Sequence, residues 1–339
     1  MTQRGGFIAT ALLFVLLLFA PQLAPALHLA ISIVTSVLLY TIAAMAVNLL
    51  VGYTGVLPFG NAAFWGLGAY GAGLTIEYFH VGLFSSMLIG ILAAVVGALA
   101  IGPFLLRRRG IYFALLFIAF GQVFYFIAYR FTNITGGEDG MNFARPAIEG
   151  TKFSPHDQAF YYVVLAIFAI VVVGFYLLVR SPFGRSLIAI KENETRARYL
   201  GLNTDRFIFA ALVISAAIEG LAGACYGLSI MFADPLMLDW HQSGNVVLMT
   251  ILGGSGTVLG PFLGALIFEV GSDVLSTAVP WWQIPLGALF VICVLGFPKG
   301  LLGTVIELFN RRRAGFAEAA HGIGQASPQH PLEERESPQ

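Results

Sequence analysis

The stretch RSPFGRSLIAIKENETRARYLGLNTDR, residues 180–206, decides how this chain is read. It is the only long polar passage in the middle of the sequence, and apolar runs flank it at 161–179 and 207–231. Six of its residues are basic (Arg180, Arg185, Lys191, Arg196, Arg198, Arg206), against Glu192, Glu194 and Asp205. A passage so charged is excluded from hydrocarbon, and its basic excess predicts the cytoplasmic side of a membrane. The flanking runs approach the roughly 20 apolar residues that a spanning helix needs.

Composition supports a membrane setting. Of 339 residues, 58% are hydrophobic and 11% charged, whereas soluble domains carry roughly 25% charged residues. No basic patch is interleaved with aromatics, so no nucleic-acid partner is expected. Cys225 and Cys293 fall inside apolar runs and read as small buried hydrophobes rather than a disulfide or metal pair.

The expected architecture is all-α and polytopic, with about ten transmembrane helices in a permease domain spanning residues 1–313. The candidate spans are 7–27, 29–50, 59–78, 83–106, 112–129, 161–179, 207–231, 245–258, 261–277 and 282–297. Residues 1–27 also resemble a leader peptide, with Arg4 before an apolar run and Ala24-Pro25-Ala26 after it. An uncleaved first helix is the preferred reading, because the run nearly reaches spanning length. Arg107 to Arg109, the 180–206 loop, and Lys299 with Arg311 to Arg313 all belong inside. Ten spans with both termini cytoplasmic satisfy every placement. Residues 130–159 form the main outer loop, and Trp240, Trp281 and Trp282 fit an outer aromatic belt. The polar tail 314–339 lacks apolar residues to bury and reads as disordered.

Gly66 to Gly71 fits G-x-G-x-x-G, but it sits in an apolar run with no βαβ context, so close helix packing is expected instead. No phosphate-binding loop with its lysine occurs, since Gly253-Gly254-Ser255-Gly256 is not followed by lysine. Two glycine-rich passages are comparable: Gly52, Gly55 and Gly60 with Asn61 following, and Gly253, Gly254 and Gly256. Each is either a broken helix lining a substrate path or a tight turn between spans. Polar groups inside spans are few: Glu219, Glu269, Asn48, Gln122 and Asn245. Such groups mark a path or a hydrogen-bonded packing contact. No intramembrane Lys or Arg supports a proton relay, and no His, Cys or Asp shows metal-ligand spacing. Within the central loop, residues 185–200 predict a single amphipathic helix closed by Gly201, with Asp205 capping the next span. Its mixed charge favours a protein partner over lipid head groups.

Taken together, NLLVGYTGVLPFGNAAFWGLGAYGAGL (48–74), TGGEDG (135–140), SPFGRSLIAIKENETRARYLGLN (181–203), ILGGSGTVLGPFLGA (251–265) and FPKGLLG (297–303) resemble the branched-chain amino acid permease family of bacterial ABC importers. The match is nearer the M-type than the H-type subunit. The resemblance implies a type II-like inner-membrane bundle, a second homologous permease, two ATP-binding cassette subunits and a periplasmic substrate-binding protein. It implies no cofactor here, ATP being used by the partner subunits, and no enzymatic activity in this chain. The family's coupling loop carries a Glu-Ala-Ala…Gly pattern. Glu194, Ala197 and Gly201 match its spaced form, while Thr195-Arg196 departs from the usual small residues. Gly184, Arg185, Lys191, Glu192 and Asn203 complete the expected coupling site, and Gly52, Gly55, Gly60, Asn61, Gln122, Glu219, Gly253, Gly254 and Gly256 the expected path. Urea and short-chain amide permeases share much of the pattern. An ion-coupled transporter or channel, and a membrane scaffold, are the alternatives from other classes.

Overall fold

The structure, a computed structural model, describes residues 14–23, 30–146, 158–296 and 300–304. The expectations for the tail, for Lys299 and for Arg311 to Arg313 lie outside the described residues. So do most of the leader question and residues 147–157 of the outer loop.

The described residues are helical almost throughout. Among the described residues, the α-helices of six residues or more are, in chain order, α1 (Ile31–Asn48), α2 (Ala62–Phe79), α3 (Leu83–Leu105), α4 (Ile111–Arg130), α5 (Gln158–Arg180), α6 (Pro182–Glu192), α7 (Glu194–Tyr199), α8 (Thr204–Ile230), α9 (Trp240–Gly253), α10 (Gly260–Ala278) and α11 (Gln283–Gly296). α1 continues as a π-helical turn, Leu49–Thr54. Five helical segments among the described residues are long and apolar enough to cross a membrane: Ile31–Thr54, α3, α4, α5 and α8.

Close backbone approach builds the bundle. α8 packs against both α2 and α3, which also pack against each other. A Cβ added at Gly68 would lie 2.1 Å from the Gly220 carbonyl oxygen, and one at Gly223 would lie 1.9 Å from that of Trp65. Glycine at these crossings lets helices approach where lipid supplies no hydrophobic drive. The G-x-G-x-x-G passage is therefore a packing seam, with Gly68 against α8 and Gly71 against Gly90 of α3. α1 lies deepest, covered by α8, α10, α9 and α5, and Leu38, Leu39, Ile42 and Met45 are fully buried. By contrast, α3, α4 and α5 expose Leu88, Val96, Phe126 and Ile170, as lipid-facing helices would.

Outside the spans, Met141–Asn142 pairs antiparallel with Phe232–Ala233. Arg145 pins the described part of the outer loop to the end of α8. It donates to the Leu228 and Ser229 carbonyls at 2.6 and 2.7 Å and lies 3.9 Å over the Phe160 ring.

The segment expected as a span at 245–258 is instead α9, shifted toward the N-terminus and 14 residues long. Asp239 accepts a hydrogen bond from the His241 amide and starts the helix there. At 1.5 Å per residue, α9 reaches about 21 Å, short of a hydrocarbon core about 30 Å thick. The polar WHQSG sequence had concealed this early start.

Candidate functional site

The central loop is a compact pair of helices rather than the single helix expected over 185–200. Ser181 caps α6 by accepting from the Gly184 amide at 3.2 Å, and Pro182 occupies the first turn. The helix breaks at Asn193, in extended conformation, whose side chain accepts from the Arg196 amide and opens α7. Local Asx capping competes with helix continuation here, which is why the absence of Gly and Pro misled the helical expectation. Asn203, not Asp205, caps α8, accepting from the Arg206 amide at 3.2 Å.

Gly201 does end α7. Its φ is +90°. The Gly201 amide donates to the Arg198 carbonyl and the Leu202 amide to that of Ala197, the paired bonds of a Schellman C-cap. Ala197, Ile190 and Ile208 are buried together under the loop, so Ala197 faces inward. Gly184 packs against the Val179 carbonyl, while Arg185 and Glu192 are exposed. The outward tip is apolar: Tyr199 is 88% and Leu200 77% exposed.

An ion network clamps the loop. Oε1 of Glu194 accepts from Arg109 Nε at 3.2 Å, Arg198 Nη2 at 3.0 Å and Thr204 Oγ1 at 3.1 Å. Asp205 pairs with both Arg109 and Arg198. Burial alone would raise the Glu194 carboxyl, but Arg109, Thr204 and Arg198 outweigh it and hold the group below its ordinary value. In the sequence Arg109 marks only orientation; its role as a clamp depends on the fold bringing the α3–α4 loop beside α7.

The expected path residues separate into three groups. The first joins the two glycine passages. Asn48 Oδ1 accepts from the Gly256 amide at 2.8 Å, Asn48 Nδ2 donates to the Thr257 carbonyl at 2.7 Å, and the Tyr53 hydroxyl donates to the Gly256 carbonyl at 3.0 Å. A Cβ on Gly52 would lie 2.5 Å from the Gly256 amide nitrogen and 2.2 Å from Asn48 Oδ1, so only glycine admits this approach. Lys191 Nζ donates to the Gly52 carbonyl at 2.7 Å, and its stem crosses Gly55. Gly253 and Gly254 belong to the same region, in the turn of the α9–α10 hairpin, against Gly260 and Gly300.

The second group is sealed in the core. Asn61 Nδ2 donates to Glu219 Oε1 at 2.9 Å, and both residues are almost wholly buried. Gly60, beside it, packs on the Phe117 carbonyl. In the third group, Gln122 donates to Asp239, the α9 cap, at 3.4 Å. A cavity of about 250 Å³ takes in Glu269 instead of Glu219, with Ser32, Ser36, Ser272, Asp273, Ser276 and Trp282. Sequence reading missed the serines because each alone is unremarkable; α1 and α10 bring them to one wall. Among the described residues, no cluster of His, Cys, Asp or Glu could hold a metal ion.

Residues 29–295 match the model of a family described as branched-chain amino acid transport system / permease component. The chain belongs to this family. It is 30% identical over 296 residues to the high-affinity branched-chain amino acid transport system permease protein LivM of Escherichia coli K12, covering 80% of this chain and 69% of that protein. It is 26% identical over 269 residues to the probable branched-chain amino acid transport permease protein LivM of Methanocaldococcus jannaschii, covering 68% and 77%. A shorter match, 31% over 163 residues, links it to the autoinducer 2 import system permease protein LsrC of Escherichia coli O157:H7, covering 44% and 45%. No solved structure matches. The chain is thus a multi-pass membrane permease component of a transport system, as the resemblance in its motifs implies.

Proposed function

We propose that this chain is the membrane-spanning permease subunit of an ATP-driven importer for branched-chain or related amino acids. It forms the translocation path with a second, homologous permease. Two ATP-binding cassette subunits dock on residues 180–206, and a periplasmic binding protein delivers cargo on the opposite face. Both termini are cytoplasmic in this arrangement, and ATP is the partners' ligand. The observation that carries the reading is the loop itself: a clamped helical pair presenting Tyr199 and Leu200 to solvent on a chain of a transport permease family. Exposed apolar side chains ringed by charge suit a protein interface.

Purified with its partners and reconstituted, the complex should take up leucine only with ATP, and the ATPase subunits should co-purify through the loop. Ion-driven leucine uptake by this chain alone in liposomes would overturn the proposal. A second reading concerns cargo. The partial likeness to a permease of an autoinducer 2 import system leaves other small polar cargoes as competitors in the same uptake assay, and the motifs shared with urea and short-chain amide permeases add those.

A further inference from the structure

α1 does not end as an ordinary helix. Its last turn is π-helical, and the chain leaves it at Gly55 with φ of +75°. Several donors crowd onto one carbonyl there: the Thr54 hydroxyl and the Gly55 and Val56 amides all reach the Leu50 oxygen. Gly52, in the final turn, is among the carbonyls that a helix end leaves without a helical donor. It accepts instead from the ammonium of Lys191 at 2.7 Å, reaching across from the last turn of α6. Other contacts of α6 with the bundle include apolar ones, with Leu187 and Ile190 buried and Phe183 stacked on Phe207 at 5.7 Å, and near its start Arg185 donates to the Arg180 carbonyl at 3.4 Å. Apolar contacts can slide, whereas a charge-assisted hydrogen bond fixes one atom to another.

Beyond Gly52 the connection continues with direction. Asn48, one helical turn before Gly52 and wholly buried, spends both ends of its amide on the turn between α9 and α10, and Tyr53 adds a third bond to the same turn. Gly52 leaves no gap for slack, since even a methyl group would collide with Gly256. Interruptions about 200 residues apart in sequence are therefore one body, and one lysine joins that body to the loop.

We infer that Lys191 is a positioning residue that ties the α6 loop to the π-helical end of α1, and that Asn48 and Tyr53 pass its displacement to the turn between Gly253 and Gly260. This rests on the reading of residues 180–206 as the place where ATPase subunits act. Displacing α6 would then shift the Gly52 carbonyl, and the 254–259 turn would follow, reopening or closing the bundle where α1 ends and α9 turns into α10. Backbone at such helix ends can change direction without sacrificing regular helical hydrogen bonds.

The test uses the reconstituted complex with Cys293→Ser and a reporter at Ser255→Cys, an exposed position in that turn; Cys225 is buried and does not report. Maleimide labelling of position 255 is measured with and without a non-hydrolysable ATP analogue, beside ATP hydrolysis and leucine uptake. Lys191→Met should abolish the nucleotide-dependent change in labelling and lower uptake about tenfold, the scale of one charged hydrogen bond; co-purification of the ATPase subunits, read alongside, shows whether this variant assembles. Lys191→Arg should restore both. Tyr53→Phe, which removes one hydroxyl and buries no new charge, should weaken the response in the same direction and decides the matter if Lys191→Met does not assemble. An unchanged nucleotide response at position 255 in Lys191→Met, or in Tyr53→Phe where that variant decides, overturns the inference, even if uptake falls, and leaves the loop reading intact. Absence of ATP-driven uptake in the unmodified complex overturns the loop reading, and the inference with it.

Discussion

Glu194 is the most informative side chain to remove from the loop. One of its oxygens accepts three bonds, from Arg109, Arg198 and Thr204, and the carboxylate is 31% exposed. Each partly exposed ion pair contributes about 0.5 kcal/mol, and the Thr204 hydroxyl bond about 1 kcal/mol. Glu194→Ala should therefore lower the local opening free energy of the loop by about 2 kcal/mol, a factor of about 30 in its equilibrium. Asp205 still pairs with Arg109 and Arg198, so the loop should loosen without the bundle unfolding. Amide hydrogen exchange over 194–205 reads this directly: protection should fall about 30-fold there while that of α2, α3 and α8 is unchanged. Unaltered exchange over 194–205 would refute the clamp. The same bonds give a pH dependence. The folded carboxyl lies below its ordinary value of 4.5, so the clamp's contribution is complete above about pH 4.5 and is lost as the pH falls through the lowered folded value. A spin label at the exposed position 199 should gain mobility over that acid range, and Glu194→Gln should remove the transition.

Two further outcomes test the rest of the framework. Nothing lies within 4 Å of a Cβ added at Gly201, whose φ is +90°, so Gly201→Ala should cost about 1 kcal/mol through backbone conformation alone. Exchange at the α7–α8 junction should rise several-fold, and Gly201→Asn, which tolerates that conformation better, should lie between the two. A Cβ at Gly223 would meet the Trp65 carbonyl oxygen at 1.9 Å, so Gly223→Ala should force α2 and α8 apart and cost about 3 kcal/mol or more; thermal unfolding in detergent should show a large fall in Tm, and an unchanged Tm would contradict the seam.

What the sequence determined by itself was everything that depends on period, length and composition. Apolar runs of spanning length dictate helices, because no other open structure satisfies its backbone in hydrocarbon. The charge of residues 180–206 excluded them from a span, and the paired glycine passages stood out because each interrupts a helix. The motif combination also carried the family resemblance, which the match over residues 29–295 bears out. Individual caps were harder. Asn193 and Asn203 act through side-chain bonds to amides three residues on, and neither sequence pattern distinguishes a capping asparagine from an exposed one.

Only the tertiary structure decided which distant groups meet. Lys191 read as one basic residue among six, yet its ammonium lands on the Gly52 carbonyl. Arg109 marked a membrane side, yet it closes the loop clamp. Asn48 looked like an isolated intramembrane amide, and Glu219 like a path residue. The first holds the two glycine passages together, and the second is sealed against Asn61. The reason is physical. Helix formation follows from local spacing, whereas these bonds depend on how closely helices approach, and that distance is set by glycines meeting backbones across separate helices. The opening passage, residues 180–206, is thus legible as a loop from its charge alone, but its attachment to the bundle exists only in the fold.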